Sequence, residues 1–345
     1  MLEFSHVLKG WYENEKRDLP WRNTVDPYKI WLSEIILQQT RVEQGKAYYF
    51  KFIERFPTVF DLANADEMEV LNLWQGLGYY SRARNLHASA KIIVTDFSGV
   101  FPENYQKITQ LKGVGPYTAA AIASFAFNEK VSVVDGNVYR VLSRIFGIEA
   151  PIDSTTGKKQ FAELAQTLID DKEPGIHNQA IMEFGALQCV PQNPRCEQCP
   201  FQRKCFAFEK QMIKTLPVKS KKIAVKNRYF DYLIFSWDSK LILQKRGEKD
   251  IWAHLYEFPL IERESFNNTI NFNQYSINQP AFSSEVVKHI LSHQHLYVQF
   301  HVFNSKPIFK SDRWIEIERE DFHNYPIPRV IDRFVESIKL DVTIE

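Results

Sequence analysis

Outside residues 189–205 the 345-residue chain contains no cysteine. A disulfide scaffold spreads its cysteines through the fold, so thiols crowded into one window argue against that class and point to a metal or cluster site. Also missing is any run approaching the roughly 18 apolar residues that span a bilayer, and no membrane partner is expected. The opening MLEFSHVLKGWYENEKRDLP has no basic stretch followed by an apolar one. No secretory signal is therefore expected, and the chain is read as soluble and cytoplasmic. An excess of either charge sign is missing too: the formal net charge is +1, so global charge gives no argument for a nucleic-acid partner. No repeat of fixed period is visible.

What is there is ordinary globular material. Hydrophobic residues make up 44% and charged residues 25%, and the length allows two domains, each with its own core. Residues 1–213 read as helical. Asp26-Pro27 offers an N-cap followed by proline at the first helical position, and YKIWLSEIILQQT continues the helix. DEMEVLNLWQ, SRARNLHASAKIIVTD, YTAAAIASFAF and GKKQFAELAQTLID read as further helices between short breaks. The segment 214–228 holds six basic residues and no acidic one, the composition of a solvated linker. Beyond it, YFDYLIFSW, KLILQKR, EVVKHILSHQHLYVQFHVF and WIEIE are rich in aromatic and β-branched residues. Their partial alternation predicts an α+β domain over 229–345.

Three places carry chemistry. Cys189, Cys196, Cys199 and Cys205 are spaced C-x6-C-x2-C-x5-C, and soft thiolates in one loop suit either tetrahedral zinc or an iron–sulfur cluster. The spacing leaves that choice open. LKGVGPYTAAAIASFAF sets Gly113 and Gly115 around Val114 just before a helix. Such a turn beside a helix N-terminus can bind a phosphate, although an ordinary tight turn is the plainer reading. Finally, Glu34 sits mid-helix among Ile30, Trp31, Leu37 and Gln38. A carboxylate there needs a function or a partner, with a salt bridge to an arginine as the main alternative. Apolar surroundings raise its pKa and keep a proton available near neutral pH. Asp135, after VSVV, reads first as an N-cap or turn residue.

Together these residues carry a resemblance. The cysteine spacing matches, at every position, the cluster loop of the endonuclease III/MutY superfamily. WLSEIILQQT, the glycine hairpin and VDGNV resemble the MutY-type adenine DNA glycosylases within it. LILQKRGEKDIWAHLYEFPL resembles the opening of the Nudix-like domain at the C-terminus of such proteins. The resemblance implies a multidomain chain: an all-α helix-hairpin-helix glycosylase domain over 1–213 with a [4Fe–4S] loop at 189–205, a basic linker at 214–228, and an α+β Nudix-like domain over 229–345.

It also implies roles. Glu34 protonates adenine at N7 and later assists water; Asp135 stabilises the cationic sugar or attacks it transiently; Asn137 orients the pair. Splitting acid and carboxylate roles in this way is what glycosidic cleavage requires. Where lyase relatives carry a Schiff-base lysine, this chain has Tyr117, which implies base release by water without efficient strand cleavage, Lys16, Lys112 or another lysine giving at most weak nicking. Gly113, Val114 and Gly115 hold a DNA phosphate, with Lys112 where proline is common. Gln39 and Tyr79 wedge into the base stack, with Thr40, Leu77 and Gly78 beside them. Ser292 and His293 contact 8-oxoguanine, with Leu291 where phenylalanine often stands. The glutamates of a Nudix hydrolase are missing from IERESFNNTINFNQ, so this domain is expected to recognise rather than hydrolyse. The expected cofactor is [4Fe–4S] rather than zinc, and the expected partner is double-stranded DNA holding A:8-oxoguanine or A:G, bound by a monomer. An oxidised-pyrimidine glycosylase/lyase and a non-catalytic metal-bearing DNA-binding protein are the alternative classes.

Overall fold

The computed structural model describes residues 2–220, 225–267, 270–275, 279–308 and 311–338. It divides into two compact units, Met1–Asn64 with Asn85–Lys221, and Ala65–Arg84 with Lys222–Glu345. Of the segment read as a linker, 221–224 lie outside the described residues, and a strand already begins at Lys226. The same holds for 339–345 of the C-terminal domain.

The helices run α1 Leu2–Glu15, α2 Pro27–Leu37, α3 Val42–Arg55, α4 Val59–Asn64, α5 Glu67–Leu73, α6 Ser81–Asp96, α7 Tyr105–Ile108, α8 Pro116–Phe127, α9 Gly136–Phe146, α10 Thr155–Leu168, α11 Pro174–Leu187 and α12 Phe206–Glu209. Helix α2 starts where Asp26 Oδ1 accepts the Tyr28 N–H at 3.0 Å and proline fills the first position. Almost all of it is buried, Ile30 through Ile36 without a break, so it reads as a core helix rather than an amphipathic one. It packs on α3 and α8. Helix α8 is likewise apolar and ends at Asn128, in the left-handed conformation at φ 54°. A second core joins Phe4, Leu8 and Tyr12 of α1 to Val141 and Leu142 of α9, Phe161 of α10 and Phe184 of α11.

The second unit carries a mixed sheet. Its strands are β1 Lys226–Trp237, β2 Lys240–Lys245, β3 Tyr256–Glu257, β4 Leu260–Arg263, β5 Phe282–Ser283, β6 Val287–Ile290, β7 Gln294–Phe303 and β8 Trp314–Glu318, followed by helix α13 Arg329–Ile338. The main path is β3-β2-β1-β7-β5. β1 and β7 run parallel, with Phe230 opposite Val298, and the other pairs are antiparallel. β1 turns into β2 through Asp238-Ser239, both at positive φ, the backbone that two-residue hairpins favour. One face of the sheet packs Phe230, Tyr232, Phe300 and Val302 against Val330, Ile331 and Phe334 of α13.

Candidate active site

Helices α2, α8 and α11 and the start of α9 enclose a cavity of about 400 Å³ in the first unit, lined by Glu34, Tyr117, Asp135, Asn137, Gln39 and Thr40 among others. The resemblance places Glu34, Tyr117, Asp135 and Asn137 in one chemistry, and the fold brings all four to this cavity. Glu34 is 8% exposed. Burial pushes its carboxyl up to about 7, reinforced by the Asp135 charge and opposed by the Tyr117 hydroxyl donating to it and by Arg22. Tyr117 Oη also lies 3.8 Å from Met182 Sδ, and burial raises its pKa well above the ordinary range.

Asp135 fulfils the plain reading and more. It is the N-cap of α9, its Oδ1 accepting the Val138 N–H at 2.7 Å, while Oδ2 accepts Asn137 Nδ2 at 2.8 Å. Burial raises its pKa, against those hydrogen bonds and the Arg140 charge, which favour the ionised form. Asn137 Oδ1 in turn accepts Arg140 Nη2 at 2.8 Å. The same guanidinium reaches the Gly185 carbonyl at 2.6 Å and, through Nε, the Cys189 carbonyl at 2.7 Å. One arginine thus ties the cavity wall to the first cysteine of the loop.

Sequence reasoning missed a further acidic centre in the cavity lining. Glu183 is 1% exposed and takes Arg17 at 2.6 and 2.8 Å and Arg22 at 2.7 Å. Burial works to raise its pKa, but the two arginines prevail and hold it down to about 2. The arginines that could have neutralised Glu34 are therefore engaged by Glu183. Neighbouring Gln179 accepts the Tyr12 hydroxyl at 2.8 Å and lines the cavity with Trp21 and Met182.

The four cysteines follow α11 in a loop of two short 3-10 turns. None is disulfide-bonded. Arg144, 2% exposed, anchors the loop: its guanidinium donates to the Val190 and Pro191 carbonyls at 2.8 and 3.0 Å and lies 3.5 Å from Cys189 Sγ. Burial raises the thiol pKa of Cys196 and Cys205 and pushes Cys199 up to about 12, with the neighbouring cysteines adding to each. Among the described residues no three His, Cys, Asp or Glu side chains stand gathered as a ready-made metal site. The fit to a cofactor therefore rests on donor chemistry: four thiols within electrostatic reach of one another beside a buried cation, a set suited to a thiolate-bound metal or cluster.

Between α7 and α8 the hairpin turns at Gly113, at φ 74°, where an added Cβ would meet Asn85 at 2.7 Å. Val114 is buried, and Gly115 caps α8 with open space before it. These three do not line the cavity. Gln39, just past the end of α2, adopts φ 56°. YKIWLSEIILQQT therefore stays helical only to Leu37. A non-glycine residue in the left-handed region is a strained position of the kind found at functional sites.

In the second unit, a cavity of about 470 Å³ is lined by Leu77, Gly78 and Tyr79 on one side and by Leu291, Ser292 and His293 of the β6–β7 turn on the other. Tyr79, also at positive φ (46°), places its hydroxyl in hydrogen-bond contact with Ser292 Oγ.

A helix-hairpin-helix unit with a paired-carboxylate cavity and a four-thiol loop, in a chain that also carries a mixed-sheet unit, defines a DNA glycosylase of the base excision type. Residues 32–168 match the HhH-GPD superfamily of base excision DNA repair proteins, and residues 232–337 match the NUDIX domain. The adenine DNA glycosylase of Buchnera aphidicola subsp. Baizongia pistaciae is 35% identical over 98% of this chain and 97% of its own. That of Homo sapiens is 46% identical over 60% of this chain and 40% of its own. Among solved structures, a thermostable thymine-DNA glycosylase aligns with a TM-score of 0.56 at 33% identity, over 60% of this chain and 95% of its own. The chain belongs to the adenine DNA glycosylase family. Among the described residues no helix is long and apolar enough to cross a membrane.

Proposed function

We propose that the chain hydrolyses the N-glycosidic bond of adenine mispaired with 8-oxoguanine or guanine in double-stranded DNA, leaving an abasic site and an uncut strand. The observation that carries this is Glu34, a carboxyl raised to about 7 in a cavity it shares with Asp135. Glu34, protonated, gives its proton to adenine N7. The C1′–N9 bond then breaks with its electron pair moving to the base, and the ionised Asp135 faces the cationic sugar. Water adds to C1′ and returns a proton to the Glu34 carboxylate. Asn137 holds Asp135 in place. Gln179, which lines the cavity, suits the exocyclic amine of the flipped base.

Tyr117 has no amine, so no imine with the sugar forms. Cys189, Cys196, Cys199 and Cys205 would hold a [4Fe–4S] cluster rather than zinc, fixing the loop that Arg140 and Arg144 tie to α9. Gly113, Val114 and Gly115 hold a phosphate of the DNA backbone. Gln39 and Tyr79 wedge into the stack around the lesion, with Thr40, Leu77 and Gly78 beside them, and Ser292 and His293 of the C-terminal domain (229–345, after the helical 1–213 and the linker 214–228) read the oxidised base. The protein acts as a monomer in the cytoplasm, where the chromosome lies.

The substrate reading is tested with duplexes carrying A opposite 8-oxoguanine, G or T, and with an oxidised pyrimidine. The expected result is cleavage of the A:8-oxoguanine and A:G strands only after alkali, with no borohydride-trapped adduct. Trapping on an oxidised pyrimidine would instead support the lyase reading. The cofactor is tested by metal analysis of the purified protein: iron and sulfide in equal amounts are expected, lost together with thermal stability in Cys199→Ser. Stoichiometric zinc would refute the cluster.

A further inference from the structure

The turn that carries Leu77, Gly78 and Tyr79 is held from below by one side chain. Arg82 is 8% exposed, and its Nη2 donates to two consecutive carbonyls, Leu77 O and Gly78 O, each at 3.1 Å. Its guanidinium also lies over two rings, 4.9 Å from the Trp74 centroid and 5.9 Å from that of Tyr79. Trp74, fully buried, adds a third tie: its Nε1–H donates to the same Gly78 carbonyl at 3.0 Å. The backbone so clamped is strained at one residue. Gly76, Gly78 and Tyr79 have φ of 96°, 70° and 46°; the glycines adopt such values freely, but an aromatic residue in the left-handed region persists only where its surroundings impose it. An arginine suits this position because one Nη2 gives its two hydrogens to the two carbonyls while the planar guanidinium faces aromatic rings, and a lysine ammonium has no flat face to stack.

We propose that Arg82 is a positioning residue for recognition of the base opposite the adenine: it locks the 76–79 turn so that the Tyr79 hydroxyl meets Ser292, and thereby sets the preference for 8-oxoguanine over guanine. This rests on the reading that Ser292 contacts the oxidised base and that Tyr79 wedges into the stack beside it. Arg82 touches neither the reacting adenine nor the carboxylates. Its loss narrows the preference between the two duplexes and leaves the rate of base release, once DNA is bound, nearly unchanged.

The test compares wild type, Arg82→Lys and Trp74→Phe. For each, affinity is measured for duplexes holding an uncleavable adenine analogue opposite 8-oxoguanine or guanine, together with the single-turnover rate at saturating protein on A:G. Arg82→Lys is expected to lower the 8-oxoguanine-to-guanine affinity ratio about tenfold, the loss of one to two charge-assisted hydrogen bonds. Its saturated A:G rate should stay within about twofold of wild type, because no group in the cavity is altered. Trp74→Phe should shift the ratio the same way by a smaller factor. A general structural role would weaken both duplexes equally, and an unchanged ratio in Arg82→Lys overturns the proposal. If that variant does not fold, an unchanged ratio in Trp74→Phe does the same. A wild type with no preference would sink the 8-oxoguanine reading and this proposal together. A wild type that discriminates as well as Arg82→Lys does would sink this proposal alone.

Discussion

Glu34→Gln is expected to abolish adenine release and, above neutral pH, to make the protein more stable. The two effects have one cause. In the folded protein the Glu34 carboxyl titrates at about 7 against an ordinary 4.5, because burial disfavours its charge. Between those values the native state holds a proton that the unfolded chain has released, so stability falls as pH rises from 4.5 through 7. The loss totals about 3 kcal/mol once both states are ionised. Glutamine keeps the shape and cannot ionise, so it lifts that loss at pH 8 and leaves stability unchanged at pH 4. It also cannot donate a proton to N7 or take one from water, so single-turnover base release should drop by at least about 10³-fold. Chemical denaturation at the two pH values checks the first effect. A variant that is inactive yet no more stable at pH 8 than at pH 4, relative to wild type, would place the raised carboxyl elsewhere.

Asp135 permits a different separation, because it does two jobs with two oxygens. Oδ1 caps α9 through the Val138 N–H, and Oδ2 takes Asn137. Asparagine is as good an N-cap as aspartate, so Asp135→Asn should unfold within a few degrees of wild type. It removes the negative charge facing the sugar cation, and the single-turnover rate should fall about 10²–10³-fold, the loss typical of one transition-state electrostatic partner. Asp135→Ala removes the cap as well, adding a stability loss of about 1 kcal/mol. Equal activity in wild type and Asp135→Asn would reduce this residue to its capping role.

Much of this site was legible in the chain because local signals coincide with functional ones. Asp26-Pro27 starts α2 where expected, and a glutamate inside the run from Ile30 to Ile36 announces itself by being the wrong residue for so apolar a helix. Asp135 was legible only through resemblance, since a capping aspartate before a helix is locally unremarkable. Glu183 was not legible at all. Its meaning comes from Arg17 and Arg22, more than 160 positions away, and QAIMEFGAL on its own gives no hint of them. That pairing also answers the salt-bridge alternative for Glu34, because the nearby arginines are already engaged. Nor did local pattern reveal that 65–84 packs with the C-terminal residues, although DEMEVLNLWQ was read as a helix and α5 forms within it. Tertiary contact decides that, as it decides the stop at Leu37, where helix propensity alone carries QQT onward. Helix α13 could have been found: Val330, Ile331, Phe334 and Val335 recur at helical spacing and are buried together.

The most direct test of the central claim, that a buried, protonated Glu34 drives adenine release, is the pH dependence of single-turnover cleavage of an A:8-oxoguanine duplex by the wild type. The rate constant should hold below about 7 and then fall close to tenfold per pH unit as Glu34 ionises, with DNA affinity unchanged across that range. A rate that stays level to pH 9, or one that survives in Glu34→Gln, would contradict it.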